Sequence, residues 1–253
     1  MNKGTIIAIV LVLLGFVGIL MFAQNGKKED ENMSYDINRP IEAGDDNGGI
    51  ADHVRGNKDA KLIIVEYGDL QCAGCASAEP VMKEIADYYG DKIGLVFRNY
   101  PITSGHPHSK AAAAAIEAAG KQGAYFEMLD LMYANQAVWS GSATVDNRYD
   151  MFLDIFKSID IITPDEDKFK SDYASSDINK KIDFDLKMAA KQEVTYTPFF
   201  LINGEQIVAS EWSVSGRYDV SKIKAYIDKK LEELGEIEKP QVVETPEAEE
   251  SGN

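Results

Sequence analysis

The chain has 253 residues, of which 45% are hydrophobic, and a formal net charge of −16 at neutral pH. That length and composition fit one large domain or two small ones around an apolar core. The acidic balance argues against general nucleic-acid binding, because phosphate contacts need clustered Lys and Arg.

Residues Thr5 to Ala23 form an uncharged, almost wholly apolar run. As a helix it would extend about 28 Å, close to the bilayer core of about 30 Å. A cleaved signal peptide would have a shorter apolar region and a small-x-small exit, and Leu20-Met21-Phe22-Ala23-Gln24-Asn25 offers none. Residues 1–24 therefore read as an uncleaved transmembrane signal anchor, placing the protein at a membrane through its N-terminal helix. Lys3 on one side and Lys27 and Lys28 on the other nearly balance, so the charges leave the orientation open. Residues 25–50, rich in Gly, Asn, Asp and Glu, read as a flexible linker.

The run Leu62–Tyr67 predicts a buried strand, and Cys75–Tyr89 a helix in which Pro80 should introduce a kink or shift the start. Ile93–Phe97 predicts a second strand. A helical block at about 108–186 follows: an Ala-rich helix from Ser109 to Gly120, then turns marked by Phe126, Leu129 and Tyr133, by Phe152, Ile155 and Ile159, and by Ile178, Ile182, Leu186 and Ala189. Thr163-Pro164-Asp165-Glu166 has the form of a capping box with Thr163 as N-cap. The period then changes to a short strand, Phe199–Ile202, a two-residue Asn203-Gly204 turn, and a return over Glu205–Val208. Ile223, Ile227, Leu231 and Leu234 mark a closing helix, and residues 235–253 read as an acidic disordered tail. The pattern is α/β: a mixed sheet flanked by helices, with a helical insertion, in a folded region of about 51–234.

Chemistry concentrates at Cys72-Ala73-Gly74-Cys75, which holds the only two cysteines. A bridge across so short a loop restrains the unfolded chain little, so reactivity explains the pair better than stability. Between a strand and a helix start, Cys72 meets free helix amides and the positive end of the dipole, which favour a thiolate nucleophile. Cys75, a turn deeper, would be the resolving thiol. The competing readings are a purely structural bridge and half of a zinc site with His106 and His108, whose spacing is atypical for zinc. Those two histidines otherwise read as solvated loop residues, and Trp139 and Trp212 as core or groove-edge aromatics. Glu66, six residues before Cys72, is either a buried acid or an outward-facing strand residue.

The Cys72–Cys75 motif after a strand, Glu66 before it, the helical insertion, and Thr197-Pro198 before a hairpin together resemble the DsbA-like thiol–disulfide oxidoreductases of the thioredoxin superfamily. The resemblance covers about residues 59–234. It implies that Glu66 is a buried acid exchanging protons with Cys75, that Pro198 is cis, and that the Thr197 backbone lies beside Cys72 to bind an extended substrate peptide. It also implies that no metal or organic cofactor is needed, that the substrates are cysteine-containing exported proteins, and that a quinone-linked membrane partner reoxidises the pair. The central Ala73-Gly74 departs from the Pro-His of strong oxidants and the Gly-Pro of thioredoxins, leaving redox direction open between about −270 and −120 mV. The expected activity is donation of disulfides from an extracytoplasmic domain. The alternatives are a reductase or isomerase on the same fold, or a tethered peptide-binding or chaperone module.

Overall fold

The computed structural model describes residues 35–142 and 144–238, so the expected anchor at 1–24 and most of the acidic tail lie outside the described residues. No helix among the described residues is long and apolar enough to cross a membrane. From Ile37 onward the chain forms one unit built on a five-stranded sheet. Its strands are β1 (Val54–Gly56), β2 (Leu62–Gly68), β3 (Ile93–Asn99), β4 (Phe199–Ile202) and β5 (Glu205–Ile207). They lie in the order β1-β3-β2-β4-β5. Only β2 and β3 run parallel, with Glu66 level with Phe97; β4 returns antiparallel and sets Phe200 beside Glu66.

Helix α1 (Ala73–Tyr89) makes the crossover from β2 to β3 that parallel neighbours require. The insertion contains α2 (Ser109–Gly120), α3 (Tyr125–Ala134), α4 (Gln136–Ser142), α5 (Arg148–Lys157), α6 (Glu166–Tyr173) and α7 (Ser176–Lys191). After the hairpin come α8 (Ala209–Trp212), a small ribbon of β6 (Ser213–Val214) and β7 (Arg217–Tyr218), and α9 (Val220–Glu233). Asn203 and Gly204 form the predicted turn with φ of 47° and 86°, the left-handed values that select these two residue types.

Both faces of the sheet are covered, which is why β2 and β3 are buried at every position. On one face Leu62, Ile64, Leu95, Phe200 and Ile202 pack on Met82 and Ile85 of α1 and Ile223, Ile227 and Leu231 of α9. On the other, Tyr67 and Arg98 are covered by Gln192 and by Ile37, Arg39 and Asp52; Phe97, on the face of Leu95, and Leu70 meet the insertion through the alanines of α2, Met128 and Met132 of α3, and Phe152, Phe156 and Phe169. Side chains alternate along a strand, so Glu66 shares the face of Leu62 and Ile64. A strand with two covered faces has no outward side for an acid.

Several expectations are corrected. The stretch 37–50 is not a free linker: Ile41, Asn47 and Ile50 are buried, and the carbonyls of Ile37 and Arg39 accept from Arg98 at 2.6 and 2.9 Å. A guanidinium buried completely needs such acceptors, and this segment supplies them. The start of the tail is likewise packed, with Glu236 N donating to Leu231 O at 2.9 Å and Ile237 lying against the core. The N-cap of α6 is Asp165, not Thr163. Its carboxylate accepts from Lys168 N at 2.9 Å, while Gln122 brackets its backbone N and O at 3.0 Å each. Pro80 lies inside α1, seven residues past its start, so it does not define the start of the helix. Helix α5 ends at Lys157, and Ile159 enters the core from the turn that follows. Strand β1 was not predicted, because three residues with an arginine at the centre give no periodic signal.

Candidate functional site

At the C-terminal end of β2 the chain turns through Asp69–Cys72, closed by Cys72 N donating to Asp69 O at 2.9 Å, and enters α1. Cys72 is the N-cap, with extended backbone (φ −73°, ψ 121°), so its sulfur faces the first free amides of the helix. The two cysteines are present as a dithiol, Cys72 half-buried and Cys75 buried. The Cys72 thiol is brought down to about 5. The hydrogen bond donated by the Cys75 thiol contributes most, and the Thr197 side chain and the amides of Cys75 and Gly74 add to it; partial burial opposes them. The Thr197 hydroxyl has no hydrogen-bond partner and is free to donate to a thiolate, while the Thr197 carbonyl accepts from the protonated Cys72 Sγ at 3.5 Å. Burial pushes the Cys75 thiol well above its ordinary value, and its hydrogen bond to Cys72 holds its proton in place.

The Thr197–Pro198 peptide bond is cis. A Cβ on Gly74 would stand 3.2 Å from Pro198 Cδ and 3.5 Å from Cys72 Sγ, so the bare glycine lets this loop lie against the cysteine turn. Glu66 is buried, and its Oε1 has no hydrogen-bond partner. Burial pushes its carboxyl up to about 8, against the pull of the Arg55 guanidinium and with a further push from Cys72. The charge of Glu66 is in turn felt at Cys75. The structure thus gathers all five residues singled out in the sequence: Cys72, Cys75, Glu66, Thr197 and Pro198.

Three further groups were missed. Arg55 on β1 bonds Glu79 Oε1 at 3.0 Å and also Asp130, and its guanidinium lies 4.6 Å from the centre of the Phe126 ring. Glu79 is pushed well above the carboxylate range by burial first, then by its hydrogen bond with Asp130 and the nearby Glu66. Glu79 and Asp130 line a cavity of about 180 Å3 with Ala76, Pro80 and Tyr133. Spacing could have flagged Glu79, which lies one helical turn after Cys75 on the same face. Asp69 is the second group: its buried carboxylate accepts from Gln71 N and Ile102 N at 2.7 Å each and pairs with His106 Nδ1 at 2.8 Å. The third is Gln136, whose Nε2 donates to Leu70 O at 2.7 Å and Cys72 O at 3.0 Å. Gln136 carries no signal in sequence, because its partners lie more than 60 positions away, and Asp69 shows locally only its turn to Gln71 N, not its bonds to Ile102 and His106.

The histidines are not solvated loop residues. His106 is held by Asp69, and His108 is buried with its backbone N donating to Gln71 Oε1 at 2.5 Å. Among the described residues no group of three His, Cys, Asp or Glu side chains is placed to hold a metal ion. Trp139 and Trp212 are both core residues.

A sequence model of the thioredoxin family matches residues 49–229. Among solved structures, BdbD from Bacillus subtilis in its oxidised form superposes with a TM-score of 0.56 at 19% identity, over 77% of this chain and 98% of that one. DsbA2 from Pseudomonas aeruginosa gives 0.54 at 23% identity, over 73% and 97%. Sequence relatives include the Na(+)/H(+) antiporter NhaA 1 of Salinispora arenicola, 32% identical over 77% of this chain but only 29% of that protein. NhaA 3 of Salinispora tropica is 36% identical over 61% of this chain and 22% of its own length. The chain therefore spans less than a third of these curated relatives. With a sheet of this order, a helical block between its halves and a family match over most of its length, the chain belongs to the thioredoxin family, in the DsbA-like form of the fold.

Proposed function

We propose that this protein is a membrane-tethered, extracytoplasmic thiol–disulfide oxidoreductase that donates the Cys72–Cys75 disulfide to cysteine-containing exported proteins. One arrangement carries the reading: Cys72 caps the start of α1 beside the Thr197 carbonyl while Cys75 lies wholly buried in the first turn, so the first thiol is brought down to about 5 and the second pushed well above its ordinary value. A substrate thiolate attacks Cys72 Sγ. The Cys72–Cys75 bond breaks, and Cys75 takes the electron pair and a proton, for which Glu66 is the nearby buried acid. A second substrate thiolate then attacks the substrate sulfur of the mixed disulfide, and Cys72 departs as a stable thiolate. The substrate has lost two electrons and two protons; the protein keeps both electrons and one proton, as the Cys72 thiolate and the Cys75 thiol, and the other proton passes to water.

A stable Cys72 thiolate favours the reduced protein and so makes the disulfide oxidising. Reoxidation then requires an acceptor of two electrons, for which a quinone-linked membrane protein is our candidate. The tether would be the apolar run 5–23. The antiporter names belong to much longer proteins; we read the matched stretch as a thioredoxin-like segment of them, and assign no transport to this chain. The reductase or isomerase reading keeps one specific support: Ala73-Gly74 offers no side-chain donor to the thiolate. Equilibration of the full-length protein with glutathione separates the two. A potential well above about −180 mV supports donation, and one near about −270 mV refutes it in favour of a reductase. Protease accessibility of the domain on intact cells tests its placement.

A further inference from the structure

The turn that carries Cys72 is held from outside the sheet. Tyr133 OH, on α3, donates to Asp69 O at 3.3 Å. Gln71 Nε2 reaches Ser140 Oγ on α4 at 2.9 Å. Gln136, the first residue of α4, places both N–H bonds of one carboxamide on Leu70 O and Cys72 O. Cys72 O also accepts from Ala76 N at 3.1 Å, the first hydrogen bond of α1, so Gln136 grips the carbonyl at which the helix begins. The direction in which the Gly74 and Cys75 amides point follows from the orientation of that first turn.

We infer that Gln136 is a positioning residue for the nucleophile: from the inserted helices it fixes the Leu70 and Cys72 carbonyls and thereby keeps the amides of Gly74 and Cys75 aimed at Cys72 Sγ. The inference rests on the proposed exchange reaction and adds a residue to it. A turn without these two donors leaves an unsatisfied buried carbonyl at Leu70 and a half-satisfied one at Cys72. The turn relaxes to find other donors, and the thiolate loses alignment with its amides. Loss of hydrogen bonding worth about 1.4 kcal/mol to the charged form corresponds to a tenfold change in thiol ionisation.

The test uses the full-length protein and the variants Gln136→Leu, Gln136→Met and Asn135→Ala. Thiolate absorbance and the rate of reaction with a small disulfide are followed against pH, and the equilibrium with glutathione is measured. Both Gln136 variants are expected to raise the Cys72 midpoint by about one pH unit and to shift the glutathione equilibrium about tenfold toward the protein disulfide, about 30 mV more reducing. Asn135→Ala removes a side-chain bond to Leu131 O at the junction of α3 and α4, touches nothing on the cysteine turn, and should leave the midpoint unmoved. Should Gln136→Leu not fold, Gln136→Met keeps the length, adds no charge and is decisive alone. A Gln136 variant that melts earlier but keeps the wild-type midpoint and equilibrium overturns the inference. Equal shifts in Asn135→Ala overturn it too, since they would reduce it to general loosening. A wild-type protein that does not exchange with glutathione refutes the underlying reaction, and this inference with it; exchange by the wild type with unmoved Gln136 variants refutes the inference alone.

Discussion

Replacing Glu66 with Leu should stabilise the oxidised protein, and by an amount that grows with pH. Its carboxyl stands at about 8 in the folded chain against an ordinary 4.5, chiefly through burial. A raised acid holds in the folded state a proton that the unfolded chain has released. Its cost is therefore absent below the ordinary value, builds as pH rises, and is complete above the folded value. At about 1.36 kcal/mol per unit, the cost is about 3 kcal/mol at neutral pH and about 5 kcal/mol above pH 8. Because the side chain is wholly buried, solvent screening takes little from this. Leucine is close in volume, and the strand neighbours Phe97 and Phe200 are apolar. Urea unfolding of oxidised wild type and variant at about pH 5, 7 and 8.5 gives the difference at each pH, cancelling groups common to both. The gain should rise by about 3 kcal/mol from pH 5 to pH 8.5 or more. Parallel stability curves would show that Glu66 keeps an ordinary proton affinity, and would remove it as the proton donor to Cys75. Exchange by the variant should be slowed, because Cys75 must then leave unprotonated.

Cys75→Ser should leave Cys72 able to attack substrate disulfides but unable to resolve them, so mixed disulfides accumulate and are visible on non-reducing gels. Cys72→Ser should lose exchange and trapping together, and exchange that survives it would favour the chaperone reading. Alkylation of reduced Cys72 should be half-maximal near pH 5. With the folded value below the unfolded one near 9.0, the thiolate's support of the reduced form is full above about pH 9 and lost as pH falls through about 5. Melting temperatures of reduced against oxidised protein should therefore converge toward acid, and a difference independent of pH would contradict this. Lys181→Met removes the ammonium that bonds Asp52 at 2.7 Å and Asp185 at 2.6 Å, all fully buried. It should cost about 3–5 kcal/mol in urea unfolding, and a loss under about 1 kcal/mol would refute a compensated buried cluster.

The long elements were legible because they satisfy one local rule each. β2 is a continuous apolar run because both of its faces are covered, and α2 shows its helix in alanines because it is buried on nearly every side. The cysteine turn and the Thr197-Pro198 hairpin were legible because their chemistry lies within a few neighbouring residues. What was not legible acts at a distance. Nothing near Asn38 or Ile41 in sequence says that a buried Arg98 will draw that segment onto the sheet. Nor does any local pattern single out Gln136 from other polar residues at a helix start. Asp165 shows the same limit on a small scale: Thr163-Pro164 is a plausible cap by composition, yet Gln122, 43 residues away, decides the position.

The inserted helices meet the sheet through charge as well as through apolar packing. Asp52 bonds Arg98 Nη2 on β3 at 2.7 Å and Lys181 on α7, whose own Asp185 accepts from the backbone N of Asn99 at 3.0 Å. Asn99 Nδ2 reaches Glu117 on α2 at 2.8 Å, and Glu117 meets His53 at 3.1 Å. Buried pairs of this kind add little net stability over apolar residues of the same volume. Their effect here is geometric. The alanine face of α2 offers only shallow ridges and could pack at neighbouring registers, whereas a carboxylate facing one guanidinium and one ammonium has a single satisfied position. That position is passed on: beyond Asn99, Tyr100 N donates to Gly68 O at 2.8 Å, where β2 hands over to the cysteine turn. The same block that the charges lock in register sends Tyr133, Gln136 and Ser140 onto that turn from the other side. A one-residue slip of the insertion would misplace those partners by several ångströms, so the buried charges contribute to exchange chemistry by fixing where the cysteine turn sits.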